Sequence, residues 1–396
     1  MGVAGVVCLL VAMGMFGFMW AKLGQNQLKL TRRENDPEIA VLIAARDESA
    51  VIEGLLKCLK EQTVKIKPED VYVIVETVDD PTIDICKKYG NTVVLRRDLS
   101  KQRKGYALDE AVKAIREARK HYDVYFVFDA DNLLEKSFVE KMVGLYREGY
   151  DIATGYRYPK NGNENVISAV SALTFSMING IGNHARIAKR ANMVFSGTGF
   201  FVAGELVDEW RGWPFHSLTE DYEMSLYATL HGLATAYNEE ARFYDEQPIK
   251  FGQTVLQRVR WIKGYFTARK KYIPLMRVKK HASNYGSLVR ERVGMKPVIL
   301  AIIGVVLIVL DAVAWLVYCD KGWWALAVVI GVFVVVYLVL MVVTVVVLKQ
   351  EKAEFVPKIK MQAILFNPVY LVTYVPCALK ALLSKNVSWK KIDHGK

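Results

Sequence analysis

The chain has 396 residues, 52% of them apolar, and a formal charge of +12. That length fits one large or two ordinary domains, but the apolar residues gather at the two ends, which excludes an ordinary soluble globule and points to a membrane protein. The surplus of positive charge invites a nucleic-acid reading, which its location along the chain argues against below.

Met1 to Trp20 carries no charge and is followed by Lys22, Lys29, Arg32 and Arg33. Such a run crosses the ~30 Å hydrocarbon layer, and its positive flank predicts a span at residues 1–21 with the C-terminal side in the cytosol. A cleaved signal peptide fits less well, because a positive n-region and a small-x-small cleavage site are missing.

Residues 36–250 read as alternating strands and helices. Ile39 to Ala45 is a near-continuous apolar run, Glu48 to Leu59 has helical periodicity, and Val71 to Val75 is a second buried strand. A helix over Ile83 to Tyr89, a strand over Thr92 to Leu95, a helix over Lys104 to Lys120 and a strand over Val124 to Phe128 follow. The pattern predicts an α/β domain with a mainly parallel sheet.

Residues 251–290 form a basic region. Nine Lys and Arg residues and no acidic residue lie between Arg258 and His281, interleaved with Trp261, Tyr265, Phe266 and Tyr272. Basic and aromatic residues mixed just ahead of a hydrophobic run predict helices lying on an anionic leaflet, with membrane lipids as partners and no nucleic acid. In the membrane region, 297–384, Pro297 to Tyr318 and Trp323 to Leu348 read as a helical hairpin turned at Cys319-Asp320-Lys321-Gly322. Met361 to Leu383 is interrupted by Asn367-Pro368 and Pro376. A broken span and a re-entrant or interfacial helix both fit it, because a full span would put the basic tail, 385–396, outside.

The chemistry gathers at strand ends. In open α/β sheets ligands bind beyond the carboxyl ends of the strands, where Glu76, Asp79, Asp80, Asp129 and Asp131 fall. Asp129-Ala130-Asp131 can offer carboxylate oxygens to one hard cation, Mg2+ or Mn2+, facing a diphosphate; a helix N-cap is the structural alternative for Asp131. The five cysteines lack Cys-x-x-Cys spacing, the six histidines show no metal-ligand pattern, and no P-loop or Gly-x-Ser-x-Gly string occurs. Zinc, kinase and serine-hydrolase readings therefore lose support.

Taken together, Asp129-Ala130-Asp131, Thr219-Glu220-Asp221 and Gln257-Arg258-Val259-Arg260-Trp261, in that order, resemble the motif series of the membrane-embedded, processive family 2 glycosyltransferases, which include cellulose, chitin and hyaluronan synthases. The resemblance extends over roughly Ile39 to Phe266 and implies a GT-A-like cytosolic domain between N- and C-terminal transmembrane helices. It places Ala45, Glu48, Glu76, Lys104, Asp129 and Arg260 at a UDP-sugar and Asp131 at the metal, Mg2+ or Mn2+. Relatives usually carry Asp where this chain has Glu76, so Asp79 and Asp80 stay open as alternatives for the nucleotide. Asp221 is implied as general base, and Gly197, Thr198, Glu220, Gln257 and Trp261 as acceptor residues. Gly197 and Gly199 read equally as backbone turns.

Chemistry supports these roles. Inverting transfer needs a carboxylate on the face opposite the leaving diphosphate, an arginine neutralises phosphate, and an indole stacks on a sugar ring. The expected activity is transfer of a hexose or N-acetylhexosamine from a UDP-sugar donor to a growing glycan at the cytosolic face of the cell membrane. A lipid acceptor, as in polyprenyl-phosphate glycosyltransferases, is the alternative. So few spans leave an oligomer or partner subunit to complete an export path.

Overall fold

The apolar runs assemble into one eight-stranded mixed sheet. In the computed structural model the elements are α1 (Gly2–Leu23), β1 (Ile39–Ala44), α2 (Ile52–Lys60), β2 (Val71–Val75), α3 (Thr82–Tyr89), β3 (Thr92–Leu95), α4 (Lys104–Glu117) and β4 (Val124–Asp129). Then come β5 (Leu133–Leu134), α5 (Phe138–Arg147), β6 (Ile152–Pro159), α6 (Val166–Ser176), a π-helical stretch (Met177–His184), α7 (Ala185–Ile187), β7 (Phe200–Ala203) and α8 (Gly204–Trp210). The chain ends with α9 (Glu220–His231), β8 (Thr235–Asp245), α10 (Phe251–Val278), α11 (Tyr285–Val293), α12 (Lys296–Tyr318), α13 (Trp323–Gln350), α14 (Pro357–Val372) and α15 (Tyr374–Leu383). The structure describes residues 2–23, 30–279, 283–318, 323–350 and 354–384; the expected turn at Cys319 to Gly322 and the basic tail lie outside them.

The first half of the sheet follows directly from the sequence. Strands buried on both faces need apolar residues at every position. In β1, Ile39, Val41 and Ile43 pack into one layer with α2 and α5, while Ala40 and Leu42 enter the other with α4. The sheet order is β3-β2-β1-β4-β7-β6-β8-β5, and β3 through β4 are parallel throughout. β7 runs antiparallel to both β4 and β6, β8 pairs parallel with β6, and β5 closes the edge antiparallel to β8. The result is a GT-A-like, mostly parallel sheet. Its register sets Ala44 beside Asp129 and Ile74, so the carboxyl ends of β1, β2 and β4 open at one edge.

Among the described residues, four helical stretches are long and apolar enough to cross a membrane: Gly2–Leu23, Tyr285–Tyr318, Trp324–Gln350 and Pro357–Leu383. α1 lies against α12 where two glycines oppose; a Cβ on Gly5 would sit 2.7 Å from the Gly304 carbonyl oxygen, the close approach small residues permit in lipid.

Two expectations change here. The third apolar run is broken at Thr373 rather than at its prolines: α14 continues through Pro368, and Pro376 falls in the first turn of α15, where a missing N–H costs little. The basic stretch of α10, read as facing a leaflet, turns many of its charges inward. Arg258 is fully buried with its guanidinium 4.2 Å from the Tyr370 ring and 4.9 Å from that of Tyr374, Lys271 pairs with Glu223 at 2.7 Å, and Lys263 donates to the Ser384 carbonyl. These contacts dock α10 on α9 and α15; the buried Arg258 head is not offered to lipid, while Lys271 stays exposed beside Lys270.

Candidate active site

At the β1 and β2 ends, Ala45 is buried and its N–H donates to the Ile74 carbonyl. The Glu48 carbonyl accepts from Val51 and Ile52 as the chain turns into α2. Glu76 is half-buried and pairs with Arg46 at 3.0 Å. Asp80 is committed to structure: its carboxylate accepts from the Thr82 N–H at 2.8 Å, opening α3, and from the Asp47 N–H at 3.3 Å. Asp79 is exposed. Of the three acids left open, Glu76 is therefore the half-buried one beside the strand ends.

The D-x-D turn is built by groups outside the motif. The Asp129 N–H donates to the Thr198 hydroxyl at 2.8 Å, and that hydroxyl bonds to Asn132 Oδ1 at 2.5 Å. Asn132 Nδ2 in turn reaches Asp131 and, at 3.3 Å, Asp245 at the end of β8. Asp131 caps no helix, since α5 starts beyond β5 with Ser137 at its N-cap. Carboxylate oxygens of Asp129, Asp131 and Asp245 lie within 4.8 Å of one another. Three oxygen donors at that spacing fit a hard divalent cation. Asp245 is buried, and burial raises its pKa while Arg157 pulls it back down.

Arg157 and Lys104 tie this cluster to the rest of the cleft. Arg157 Nε donates to Asp245 at 2.9 Å, its Nη1 to the Ser196 carbonyl at 2.8 Å, and its guanidinium stacks 3.8 Å from the Phe175 ring. Phe175 meets Trp261 edge-to-face at 5.4 Å. Lys104, at the start of α4, donates from Nζ to Asp129 at 2.5 Å and to the Gly197 carbonyl at 2.7 Å. Gly197 and Gly199 have φ of 85° and 65°, so the turn they form needs glycine. Gly197 also faces the second acidic pair: a Cβ built on it would meet Asp221 Oδ2 at 3.4 Å.

Glu220 and Asp221 open α9. Burial, then the neighbouring Asp221 charge, pushes Glu220 up to about 7, against the pull of Lys104 and Arg260. Asp221 is also raised, by burial, although the Tyr222 N–H at 2.7 Å and Arg260 favour its charged form. Thr219 occupies the N-cap without a side-chain cap bond and packs on α10, where a Cβ at Gly264 would come within 2.4 Å of its hydroxyl. On α10, Arg260 donates to the Leu218 carbonyl at 3.3 Å, and Gln257 and Trp261 are half-buried.

The structure therefore brings Lys104, Asp129, Asp131, Gly197, Glu220, Asp221, Arg260 and Trp261 around one cleft. One assignment is corrected: Thr198, expected at the acceptor, has no exposed surface and holds the D-x-D turn from beneath. Sequence reasoning missed Asp245, Arg157 and Asn132. The last directly follows the motif, whereas Asp245 and Arg157 carry no such local signal.

A sheet of this order with carboxylates converging at its strand ends defines a GT-A-type glycosyltransferase. The chain belongs to glycosyltransferase family 2: the family described as "Glycosyltransferase like family 2" matches residues 37–264, more than half of the chain. It is 25% identical over 244 residues to "Probable glycosyltransferase YdaM" of Bacillus subtilis, covering 58% of this chain and 55% of that one. It is 21% identical over 259 residues to "Probable glucomannan 4-beta-mannosyltransferase 14" of Arabidopsis thaliana, covering 62% and 48%. The chain thus spans about half the length of these relatives. Its fold is similar to that of mannosyltransferase PcManGT from Pyrobaculum calidifontis, solved in complex with GDP-Man and Mn2+, with a TM-score of 0.63 at 13% identity over 97% of this chain and 99% of that one.

Proposed function

We propose that this protein catalyses inverting transfer of a hexose or N-acetylhexosamine from a UDP-sugar to a growing polysaccharide at the cytosolic face of a membrane. The observation that carries the reading is the two-sided cleft: the Asp129, Asp131 and Asp245 cluster on one side, Asp221 on the other, and Lys104 and Gly197 between them. Asp129, Asp131 and Asp245 would hold Mg2+ or Mn2+, which neutralises the diphosphate leaving group. Lys104 and Arg260 add positive charge on the donor side. Ala45, Glu48 and Glu76, at the ends of β1 and β2, are the surface for the nucleoside.

Asp221 takes the proton of the attacking hydroxyl as that oxygen bonds to the anomeric carbon and the bond from this carbon to the diphosphate breaks. Glu220, raised by burial and by the neighbouring Asp221 charge, takes up a proton more readily than an ordinary carboxyl, which eases the like-charge repulsion on the base. Trp261 offers an indole face to the acceptor sugar, with Gln257 one helical turn before it.

A second donor is supported by the relatives named as glucomannan mannosyltransferases and by the GDP-Man in the PcManGT structure: GDP-mannose in place of a UDP-sugar. Supplying the full-length protein with UDP-glucose, UDP-N-acetylglucosamine and GDP-mannose in turn, with chromatography of labelled product, decides between them. Polymer from a UDP-sugar supports the first reading, and polymer from GDP-mannose alone replaces the donor. Organic-extractable product bearing a single sugar, with every donor, overturns the processive reading in favour of a polyprenyl-phosphate acceptor.

A further inference from the structure

Away from the cleft, three guanidinium groups converge on one carboxylate. Arg290 donates to Glu291 Oε1 at 2.5 Å; Arg269 lies 3.5 Å from Oε2 and donates to the Glu291 carbonyl at 2.6 Å. The third, Arg186, is only 3% exposed. Its Nη1 donates to the Gly182 carbonyl in the π-helical stretch at 3.0 Å, but its buried Nη2 makes no hydrogen bond and stands 4.0 Å from Glu291 Oε1. Tyr222 adds a neutral hydroxyl, 3.2 Å from Oε2.

A buried cation that one shared carboxylate does not satisfy is costly. The imbalance is visible in Arg186 itself, whose pKa is driven down by burial and then by the Arg290 charge, more than Glu291 and Tyr222 restore. Arg290, 32% exposed at its side chain, opens the cluster outward.

The location narrows the missing partner. α11, which carries Arg290 and Glu291, turns at Gly294 into the apolar helix α12. It also packs against the charged end of α1, where a Cβ on Gly286 would lie 2.1 Å from the Lys22 carbonyl oxygen. The cluster therefore lies where two hydrophobic helices leave the globular domain, the level of lipid headgroups. Basic pockets between membrane helices at that level bind headgroups.

We propose that Arg186, Arg269 and Arg290 form a binding site for a phosphate group, that of a leaflet lipid. It rests on α1 and α12 being membrane-inserted and is independent of the donor, the acceptor and the transfer chemistry. Tyr222 joins the site to the cleft, with its hydroxyl on Glu291 and its backbone N–H on Asp221.

Thermal unfolding of the full-length protein in neutral detergent, alone and with added phosphatidic acid, inorganic phosphate or phosphatidylcholine, tests this. Phosphatidic acid at saturation should raise Tm by about 5 °C, by binding the folded state alone. Phosphatidylcholine controls for the acyl chains, and a rise as large with inorganic phosphate would assign the site to a free anion instead of a lipid. Arg186→Met should lose the rise yet match or exceed the parent Tm in neutral detergent, because it removes an undercompensated buried charge. Glu291→Gln should enlarge the rise by freeing the arginines. An unchanged rise in Arg186→Met overturns the proposal, as general attraction to the remaining basic surface would then explain it. So does an Arg186→Met protein that is less stable than the parent, or fails to fold, in neutral detergent, since Glu291 would then already compensate the guanidinium.

Discussion

The two lips of the cleft are built in different ways. The donor lip is a row of strand ends, β1, β2 and β4, whose backbones are fixed by parallel pairing and by apolar layers on both faces. The acceptor lip is assembled from the start of α9, the middle of α10 and, through Phe175, the end of α6; α6 packs on α14, α10 packs on α15, and α9 packs on α10. Side chains on the donor lip are held by the strand ends and by Thr198, Asn132 and Lys104 around them. Those on the acceptor lip inherit their position from α6 and α10, which dock on the apolar helices α14 and α15.

The sharpest break of this comparison is on the donor lip. Asp131→Ala should abolish both tight donor binding and transfer, measured by titration with nucleotide sugar and Mn2+ and by labelled product. Asp245→Asn should weaken Mn2+ by about 10–100-fold, the loss typical of disturbing groups around a metal. Unchanged Mn2+ affinity would remove β8 from the site.

On the acceptor lip, Trp261→Ala should shorten the product and raise the acceptor KM by about tenfold while donor affinity stays within about twofold of the parent. Arg258→Leu probes how that lip is anchored. Losing the guanidinium between Tyr370 and Tyr374 should lower stability by about 2 kcal/mol and weaken the acceptor more than the donor. Equal losses on both lips would erase the distinction drawn here.

The smallest effect concerns pH. Glu220 has a folded pKa of about 7 against an ordinary 4.5, so the folded state binds the proton more tightly. Its stability contribution is present below about pH 4.5 and is lost as pH rises towards and through 7. Glu220→Gln should flatten the fall of Tm across that window. A Tm profile identical to the parent's would mean the carboxyl titrates normally.

The same contrast explains what could be read in the sequence. β1, β2 and β4 are legible because burial on both faces leaves each as a near-unbroken apolar run, the short edge strand β3 because all but its first residue are apolar, and the long helices because they are apolar over most of their length although largely exposed in the protein. β6, β7 and β8 are not. β8 carries Asn238, Glu239 and Glu240 in its middle, at the register shift beside Gly155, and β7 has only four residues between a glycine turn and α8. Asp129, Asp131 and Asp221 stand in short recognisable strings, whereas Asp245 and Arg157 are separated from them in sequence and converge only when β6 and β8 pair. The fate of Arg258 was hidden for another reason: the aromatic rings that enclose it belong to α14 and α15, more than a hundred residues later.

The central claim is that donor binding and proton removal are performed by opposite sides of one cleft. Asp221→Asn tests it most directly, with Mn2+-dependent donor affinity and transfer rate measured on the same preparation. Donor affinity close to that of the parent, with turnover down by at least ~10²-fold, is the predicted result. Parent-level product would remove Asp221 from the chemistry, and a loss of donor affinity as large as the loss of turnover would show that the two sides are not separate.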